Sequence, residues 1–374
     1  MILALAAQAL LITGSPASVG MSQSRLDAAA SMLDAEVQRG SLGAGAILVA
    51  RRGTIVLNKG FGQLSRQAGS APVMTDSIFL LASITKPVTA CALMLLVERG
   101  KVSLDDPVSR YLPEFTGDDR SKVTVRHLLS HTSGLPDMLP ENTELRRANV
   151  PLSEFVQRTF KTPLLYPPCT SFRYQSMGTL LAGEIVERVS GMRLREFEKK
   201  EIFEPLGMTR SALGLGTMQI SDTVAAWSSP AADPKDTERF GANSRYWRDM
   251  GHPWGGMHST THDIAALLQA FLNGGAYDGK RVFSRATVKA MTSDQNIRVQ
   301  APWGLGWALG RSPVWNFFGD LVSASTFGHA GATGTVAWAD PETQLLCVIL
   351  TDRLLDQGRL LRLISNAVAA SIED

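Results

Sequence analysis

A serine and a lysine three residues apart, Ser83 and Lys86, stand inside an otherwise apolar stretch from Phe79 to Leu96, and Pro87 directly follows the lysine. In a helix, residues i and i+3 share one face about 5–6 Å apart. A serine hydroxyl is a weak nucleophile until a neighbouring base takes its proton. A lysine amine can be that base when burial lowers its pKa, and Phe79–Leu81 and Val88–Leu96 supply apolar neighbours. Proline is tolerated in the first turn of a helix and costly further in. Pro87 therefore predicts a helix start at about Ser83–Thr85, with Ser83 at the tip. There, free backbone N–H groups and the positive end of the helix dipole favour negative charge developing on an oxygen.

This is the only S-x-x-K in the chain. A lysine stem can also snorkel out of an apolar run, so the pair needs partners. "FRYQSMG" puts Tyr174 and Ser176 two apart, immediately before a helical period, so that both can project from one loop into a cleft. Tyrosine is an accepted general base or acid. In "GHAGATG", His329, Ala330 and Gly331 read as strand. Gly331 would let the backbone approach a ligand closely, and the N–H of Ala332 is a candidate oxyanion donor.

The elements that must position these residues follow from periodicity. Ser22 to Arg39 reads as an amphipathic helix with Leu26, Ala30, Leu33 and Val37 on one face and Gly40 as its stop. "AGAILVARRG" and "TIVLNKGFG" read as a hairpin turning at Arg52-Gly53. From Val102 to about Met257 strand signals nearly vanish, and helical periods such as "SMGTLLAGEIVERVSG" alternate with Pro-rich loops. Met218–Pro253 reads as irregular structure at a cleft mouth, with Tyr246, Trp247 and Trp254 as candidate acyl-pocket walls. "HDIAALLQAFLNGG" is again helical. "GLGWALG", "TFGHAGATGTVAWAD" and "QLLCVILTD" read as strands, the last two linked by a Pro341-Glu342 turn, and a terminal helix closes the chain. The expected class is α+β: an antiparallel sheet of N- and C-terminal strands flanked by helices, with an all-helical insertion. The expected divisions are 1–18 as a signal or leader segment, 19–101 with 258–374 as the sheet domain, and 102–257 as the helical domain. The substrate cleft should lie between the last two.

S-x-x-K at the head of a buried helix, Y-x-S in a helical insertion and H-x-G on a C-terminal strand together resemble the serine β-lactamase and penicillin-binding protein superfamily. "VGMSQSRLDAA", "LDDPVSRYLPEF", "VTVRHLLSHTSGLP", "LLAGEIVERVSG" and "FLNGG" are similar to its class C-like branch, and the resemblance runs from about Val19 onward. It implies Ser83 as the acylated nucleophile, Lys86 as its proton partner and Tyr174 as general base and acid. It implies the N–H groups of Ser83 and Ala332 as the oxyanion hole, with Ser176, His329 and Gly331 at the substrate. Which of Lys86 and Tyr174 takes the first proton stays open, because the two would titrate as a coupled pair.

Two positions depart from the β-lactamase pattern. Ser176 stands where those enzymes carry asparagine, and His-Ala-Gly replaces Lys-Thr-Gly. A serine offers one hydroxyl in place of an amide donor and acceptor, and a neutral histidine anchors a carboxylate far more weakly than a lysine. The expectation is therefore closest to the family VIII carboxylesterases: hydrolysis of short-chain acyl esters. The alternatives are β-lactam cleavage, D-alanyl-D-alanine carboxypeptidase or D-aminopeptidase activity, or a non-catalytic penicillin-binding-like module.

The 374 residues carry a net charge of +2 with lysines and arginines scattered among acids, which excludes an electrostatic nucleic-acid footprint. Three cysteines, Cys91, Cys169 and Cys347, form no C-x-x-C and no disulfide framework, and Cys91 and Cys347 read as buried hydrophobes. His127/His131 and His258/His262 have helical metal-ligand spacing but neither has the H-E-x-x-H glutamate. No G-x-S-x-G elbow occurs, which disfavours an α/β-hydrolase. No metal or organic cofactor is expected, the partner is a small ester or amide, and no segment is long enough for a membrane span. The apolar run "MILALAAQALLITGSPAS" leaves export or cytoplasmic residence open. The oligomeric state is not legible.

Overall fold

Apolar runs from the two ends of the chain meet in one sheet. The computed structural model describes residues 10–229, 231 and 233–374. Its sheet strands are β1 (Ile12–Thr13), β2 (Ala44–Arg51), β3 (Thr54–Gly62), β4 (Ala308–Leu309), β5 (Phe327–Gly331), β6 (Thr335–Asp340) and β7 (Leu345–Thr351). They lie in the order β1–β3–β2–β7–β6–β5–β4. Every pairing is antiparallel except β1 with β3, where Ile12 pairs with Thr54 in parallel. Part of the expected leader, Ile12–Thr13, is thus an edge strand of the sheet; residues 1–9 lie outside the described residues.

The β2–β3 turn falls at Arg52-Gly53 as expected, with φ of 51° and 79°. Two successive positive φ values make the tight turn whose twist matches that of the strands. The expected continuous strand through "TFGHAGATGTVAWAD" is instead two strands, β5 and β6, separated at Ala332–Gly334. Gly334 adopts φ 83°, a conformation that ends the ladder. "GLGWALG" contributes only the two residues of β4.

The helices that matter here are α1 (Gln23–Gln38), α2 (Thr85–Glu98), α3 (Met177–Ser190), α4 (Arg245–Met250), α5 (Thr261–Leu272) and α6 (Arg359–Ala369). Strand alternation sends Ile47, Val49, Val336, Trp338, Cys347 and Ile349 to one face, where Leu26, Ala30 and Leu33 of α1 and Leu361, Ile364 and Val368 of α6 cover them. Ala46, Leu48, Ala337, Leu346 and Val348 point the other way and pack with α2 and α5. With both faces covered, β7 is buried at every residue, which is why its sequence is an unbroken apolar run. Helix α2 is buried from Thr85 through Leu96 and is apolar on all sides because it lies inside the molecule.

Between Val102 and Gly256 the one strand among the described residues is Ala212–Leu213. It pairs with Met257–Ser259, which pairs in turn with Phe79–Leu80, so a small sheet joins the helical region to the chain just before Ser83. The stretch expected to be irregular holds two short helices instead, Pro234–Phe240 and α4. Asp233 and Ser244 cap them, each accepting from a backbone N–H of the first turn. Among the described residues no helix is long and apolar enough to cross a membrane.

Candidate active site

Ser83 lies in a single 3-10 turn, Ala82–Ile84, that runs directly into α2. Ala82 takes φ +48°, a left-handed conformation that costs a non-glycine residue about 1 kcal/mol or more. Surrounding bonds hold it there. Leu81 N–H donates to Met257 O (2.9 Å). The Thr85 hydroxyl donates to Ala82 O (2.7 Å), and Met257 N–H donates to the Thr85 oxygen (3.0 Å). From the β5–β6 hairpin, the Thr333 hydroxyl donates to Leu80 O (2.8 Å) and the Thr335 hydroxyl to Leu81 O (2.8 Å). Gly331 is part of the same clamp. A Cβ there would stand 2.3 Å from Leu81 O, so the glycine is required for the close approach of the strand to the Ser83 turn.

Lys86 is 2 % exposed, and its Nζ donates to Ser83 Oγ (3.1 Å) and to Trp254 O (3.1 Å). Burial lowers its pKa from 10.5 to about 7, with the Asp137 carboxylate opposing the shift. Its proton is thus available to leave near neutrality, and the lone pair so freed faces the serine. The ammonium also stands 4.6 Å above the centre of the Tyr174 ring. The Tyr174 phenol faces Ser83, which draws its pKa down, but burial dominates and holds it well above the ordinary tyrosine range. Its oxygen has no well-formed hydrogen bond among the described residues.

Tyr174 is held from behind by rings. Trp315 stacks on it at 4.7 Å, and His131 lies 4.7 Å away with its Nδ1 accepting from Gln175 N–H (3.3 Å). His329 sits 5.9 Å from Tyr174, is fully buried, and donates from Nδ1 to Ala330 O (2.7 Å). Burial lowers its pKa to about 3, with Lys86 adding to the shift, so it stays neutral. It is not among the residues lining the cavity. The expectation that His329 borders the substrate is corrected: its ring packs among Trp303, Trp315 and Tyr174 and supports the tyrosine.

The cavity itself is about 650 Å³ and is lined by Ser83, Tyr174, Ser176, Gly331 and Ala332, together with Trp247 and Trp254. Tyr246 is turned away, with its hydroxyl donating to Val150 O (2.9 Å). Ser176 donates its hydroxyl proton to Asp137 Oδ1 (2.6 Å), so towards the cavity it offers an acceptor rather than a donor. The N–H of Ala332 donates no hydrogen bond among the described residues and so remains available. His252, between Trp247 (4.2 Å) and Trp254 (4.7 Å), also lines the cavity, and burial drives its pKa well below the usual range.

Asp137, His131, His252, Thr333 and Thr335 were missed from sequence. Only the run "HTSGLPD", with two ionisable residues around a glycine turn, offered a signal for the first two. The four histidines at metal-ligand spacing address separate groups. His127 and His131 accept from different backbone amides, His258 Nδ1 lies 2.8 Å from Gly214 O, and His262 stands beside Asp263. Cys91 and Cys347 are buried as expected, and Cys169 is exposed.

A buried lysine beside a serine at the head of an apolar helix, with a tyrosine over both, sits on a scaffold that comparison recognises. Residues 29–370 match the family described as Beta-lactamase. The chain belongs to that family. It is a serine-hydrolase-type enzyme of the β-lactamase and penicillin-binding protein superfamily, with the α+β fold expected of it. A protein of Salmonella agona (strain SL483) named "Putative D-alanyl-D-alanine carboxypeptidase" is 30% identical, covering 92% of this chain and 86% of that one. Among solved structures, a penicillin-binding protein homologue from Caulobacter crescentus superposes with a TM-score of 0.77 at 24% identity, covering 93% of this chain and 97% of its own. A family VIII carboxylesterase gives 0.74 at 21%, covering 92% and 97%. These likenesses single out no branch, so the expected proximity to family VIII carboxylesterases narrows to membership of the superfamily.

Proposed function

We propose that the protein hydrolyses small D-alanyl-type amides and peptides through an acyl-enzyme on Ser83. The observation that carries the chemistry is the 3.1 Å contact between Ser83 Oγ and a buried Lys86 whose pKa has fallen to about 7. Neutral Lys86 takes the hydroxyl proton as Oγ attacks the substrate carbonyl. The oxygen of the tetrahedral intermediate is met by the N–H groups of Ser83 and Ala332. The Tyr174 phenol, still protonated, gives its proton to the departing amine and is reprotonated from Lys86. Water then attacks the acyl-enzyme by the same path in reverse. This order makes Lys86 the first base, because a phenol held above its ordinary pKa carries its proton at neutral pH.

The amide and peptide reading is supported by the 30% identity to the Salmonella agona protein. The expectation of short-chain esters rests on the missing Lys-Thr-Gly charge, which His329, buried outside the cavity, does not replace; the cavity carries other cations, Arg146 and Arg353. The ester reading keeps one support of its own, the aromatic wall of Trp247, Trp254, Trp315 and Phe317, which suits an apolar acyl group.

The test is a side-by-side assay of wild type and Ser83→Ala on N-acetyl-D-alanyl-D-alanine, nitrocefin and p-nitrophenyl butyrate. The expected result is turnover of the peptide that falls at least about a thousandfold in the variant. Wild type should also show an acyl adduct by mass spectrometry that Ser83→Ala lacks. Ester turnover alone would move the assignment to a carboxylesterase. Activity retained in Ser83→Ala would overturn the mechanism, and absence of any adduct on wild type would favour a binding module.

A further inference from the structure

The cavity that Tyr174 and Ser176 line also carries a cation that the mechanism above does not use. Arg353 follows β7 and lines the cavity together with Ala332 and Thr333. Its backbone is sewn to the β5–β6 turn: the Thr351 hydroxyl lies 2.9 Å from Arg353 O and 2.7 Å from Gly334 O. A Cβ on Gly334 would stand 2.1 Å from that same Arg353 carbonyl, so the two segments are in direct contact. The arginine is therefore fixed beside the candidate oxyanion donor.

Its side chain rests on an aromatic ring. The guanidinium lies 3.9 Å from the centre of the Trp227 ring, and Trp227 is pinned in turn by its N–H donating to Asp352 O (2.8 Å). Stacking on an aromatic face uses the plane of the guanidinium and leaves its edge donors free. Among the described residues Arg353 makes no ion pair, and its guanidinium donates no hydrogen bond. The adjacent carboxylate does not neutralise it. Asp352 is turned inward, where Gly43 N–H (3.1 Å) and Ala44 N–H (3.4 Å) donate to it and Arg66 stands at 3.6 Å. The other arginine on the cavity is partly spent, since Arg146 donates to Phe240 O (2.7 Å) while lying on Trp247.

An arginine with an unspent planar fork, held on an aromatic platform in a cavity wall, fits a carboxylate by paired parallel hydrogen bonds. We propose that Arg353, laid on Trp227, is the carboxylate-binding subsite of this cavity and takes the free carboxylate of the substrate's leaving amino acid. It thereby supplies the charge that the buried, neutral His329 does not. The placement of the carboxylate in the leaving group rests on the peptide reading above; the anion subsite itself does not.

The experiment compares N-acetyl-D-alanyl-D-alanine with its C-terminal amide, which differ by one negative charge. Both are measured as substrates and as competitors of p-nitrophenyl butyrate hydrolysis, in wild type, Arg353→Gln and Trp227→Leu. Wild type is expected to favour the acid over the amide by tenfold or more, chiefly in KM or in the inhibition constant. Arg353→Gln should bring that ratio close to one, and Trp227→Leu should give an intermediate value. Each ratio is internal to one protein, so a general loss of activity through poor folding does not imitate the result. A wild type without preference for the acid, or an Arg353→Gln variant that keeps the full preference, overturns the proposal. If neither peptide is cleaved, the peptide reading fails, and the acid-to-amide ratio of inhibition constants still decides the subsite.

Discussion

Lys86 shows how a residue type can be legible while its chemical state is not. The S-x-x-K spacing marked the pair, but a lysine in an apolar run is equally able to send its ammonium to solvent. The structure closes that route: Nζ is enclosed with Trp254 O and Ser83 Oγ as its partners. The proton state then yields a test. As the proposed base Lys86 would act as the neutral amine, with a pKa lowered to about 7 by burial. The acylation rate should therefore fall about tenfold for each pH unit below that value and level off above it. Presteady-state acylation by p-nitrophenyl butyrate between pH 5 and 9 checks this. A profile flat down to pH 5 would mean that Lys86 is not the base.

At the scale of elements, the turn that carries Ser83 depends on contacts with segments far away in sequence. The β5–β6 hairpin holds it through Thr333 and Thr335, and the Met257–Ser259 strand holds it through Leu81 and Thr85. These bonds keep Ala82 in a backbone conformation it would not adopt alone. Gly331 is where the packing is tightest, and this gives a prediction at the scale of the hairpin. In Gly331→Ala the new methyl would meet Leu81 O and the Thr335 oxygen, each at 2.3 Å. The strand must withdraw, at a cost of roughly 1–3 kcal/mol. Urea denaturation should show that loss. kcat should fall more than KM rises, because the hairpin carries the Ala332 N–H. A variant with wild-type stability and wild-type kcat would show that the clamp has slack.

Across the whole molecule, the helical region is tied to the floor of the site by a buried acid. Glu198 Oε1 lies 3.2 Å from the Thr89 hydroxyl, which donates to Pro253 O (2.9 Å), one residue before the carbonyl that receives Lys86. One hydroxyl proton cannot serve two acceptors, so a protonated Glu198 completes the chain by donating to Thr89. Burial accordingly raises the Glu198 pKa from 4.5 to about 8. The unfolded chain loses this proton near 4.5 and the folded chain keeps it to about 8. The contribution to stability is thus full below the lower value, declines between the two, and is gone above the upper one. Glu198→Gln, which stays neutral, should remove the decline. The difference in unfolding free energy between variant and wild type should move in the variant's favour from pH 6 to pH 8.5, by roughly 2–3 kcal/mol. Urea titrations of both proteins at the two pH values check this. The difference isolates Glu198 from Lys86, whose lowered pKa makes stability rise with pH above about 7. An unchanged difference would show that Glu198 is ionised in the folded protein.

Local signals in the sequence were enough for the periodic elements and for the pairing of Ser83 with Lys86, 3.1 Å apart in the structure. Helix α1, the β2–β3 hairpin, α3, α5 and the strand β7 were legible because their signals are local: apolar spacing, a glycine stop, a two-residue turn. Ser83 and Lys86 were legible because one helical turn sets their distance. What only the tertiary structure decided depends on which segments lie against each other. His329 looked like a substrate contact by its place on a strand, but ring packing with Trp303 and Trp315 takes it out of the cavity. Gly331 lines the cavity, and it also has to be glycine because Leu81 O comes against it, a contact between segments about 250 residues apart. Trp247 and Tyr246 are neighbours in sequence and only the first reaches the cavity, because successive residues of a helix point about 100° apart. Arg353 was one arginine among many, and its isolation on Trp227 arises from a contact between residues more than a hundred positions apart. A pattern in sequence reports the spacing of residues along the chain, whereas burial, charge state and free hydrogen-bonding capacity are set by neighbours the chain brings in from elsewhere.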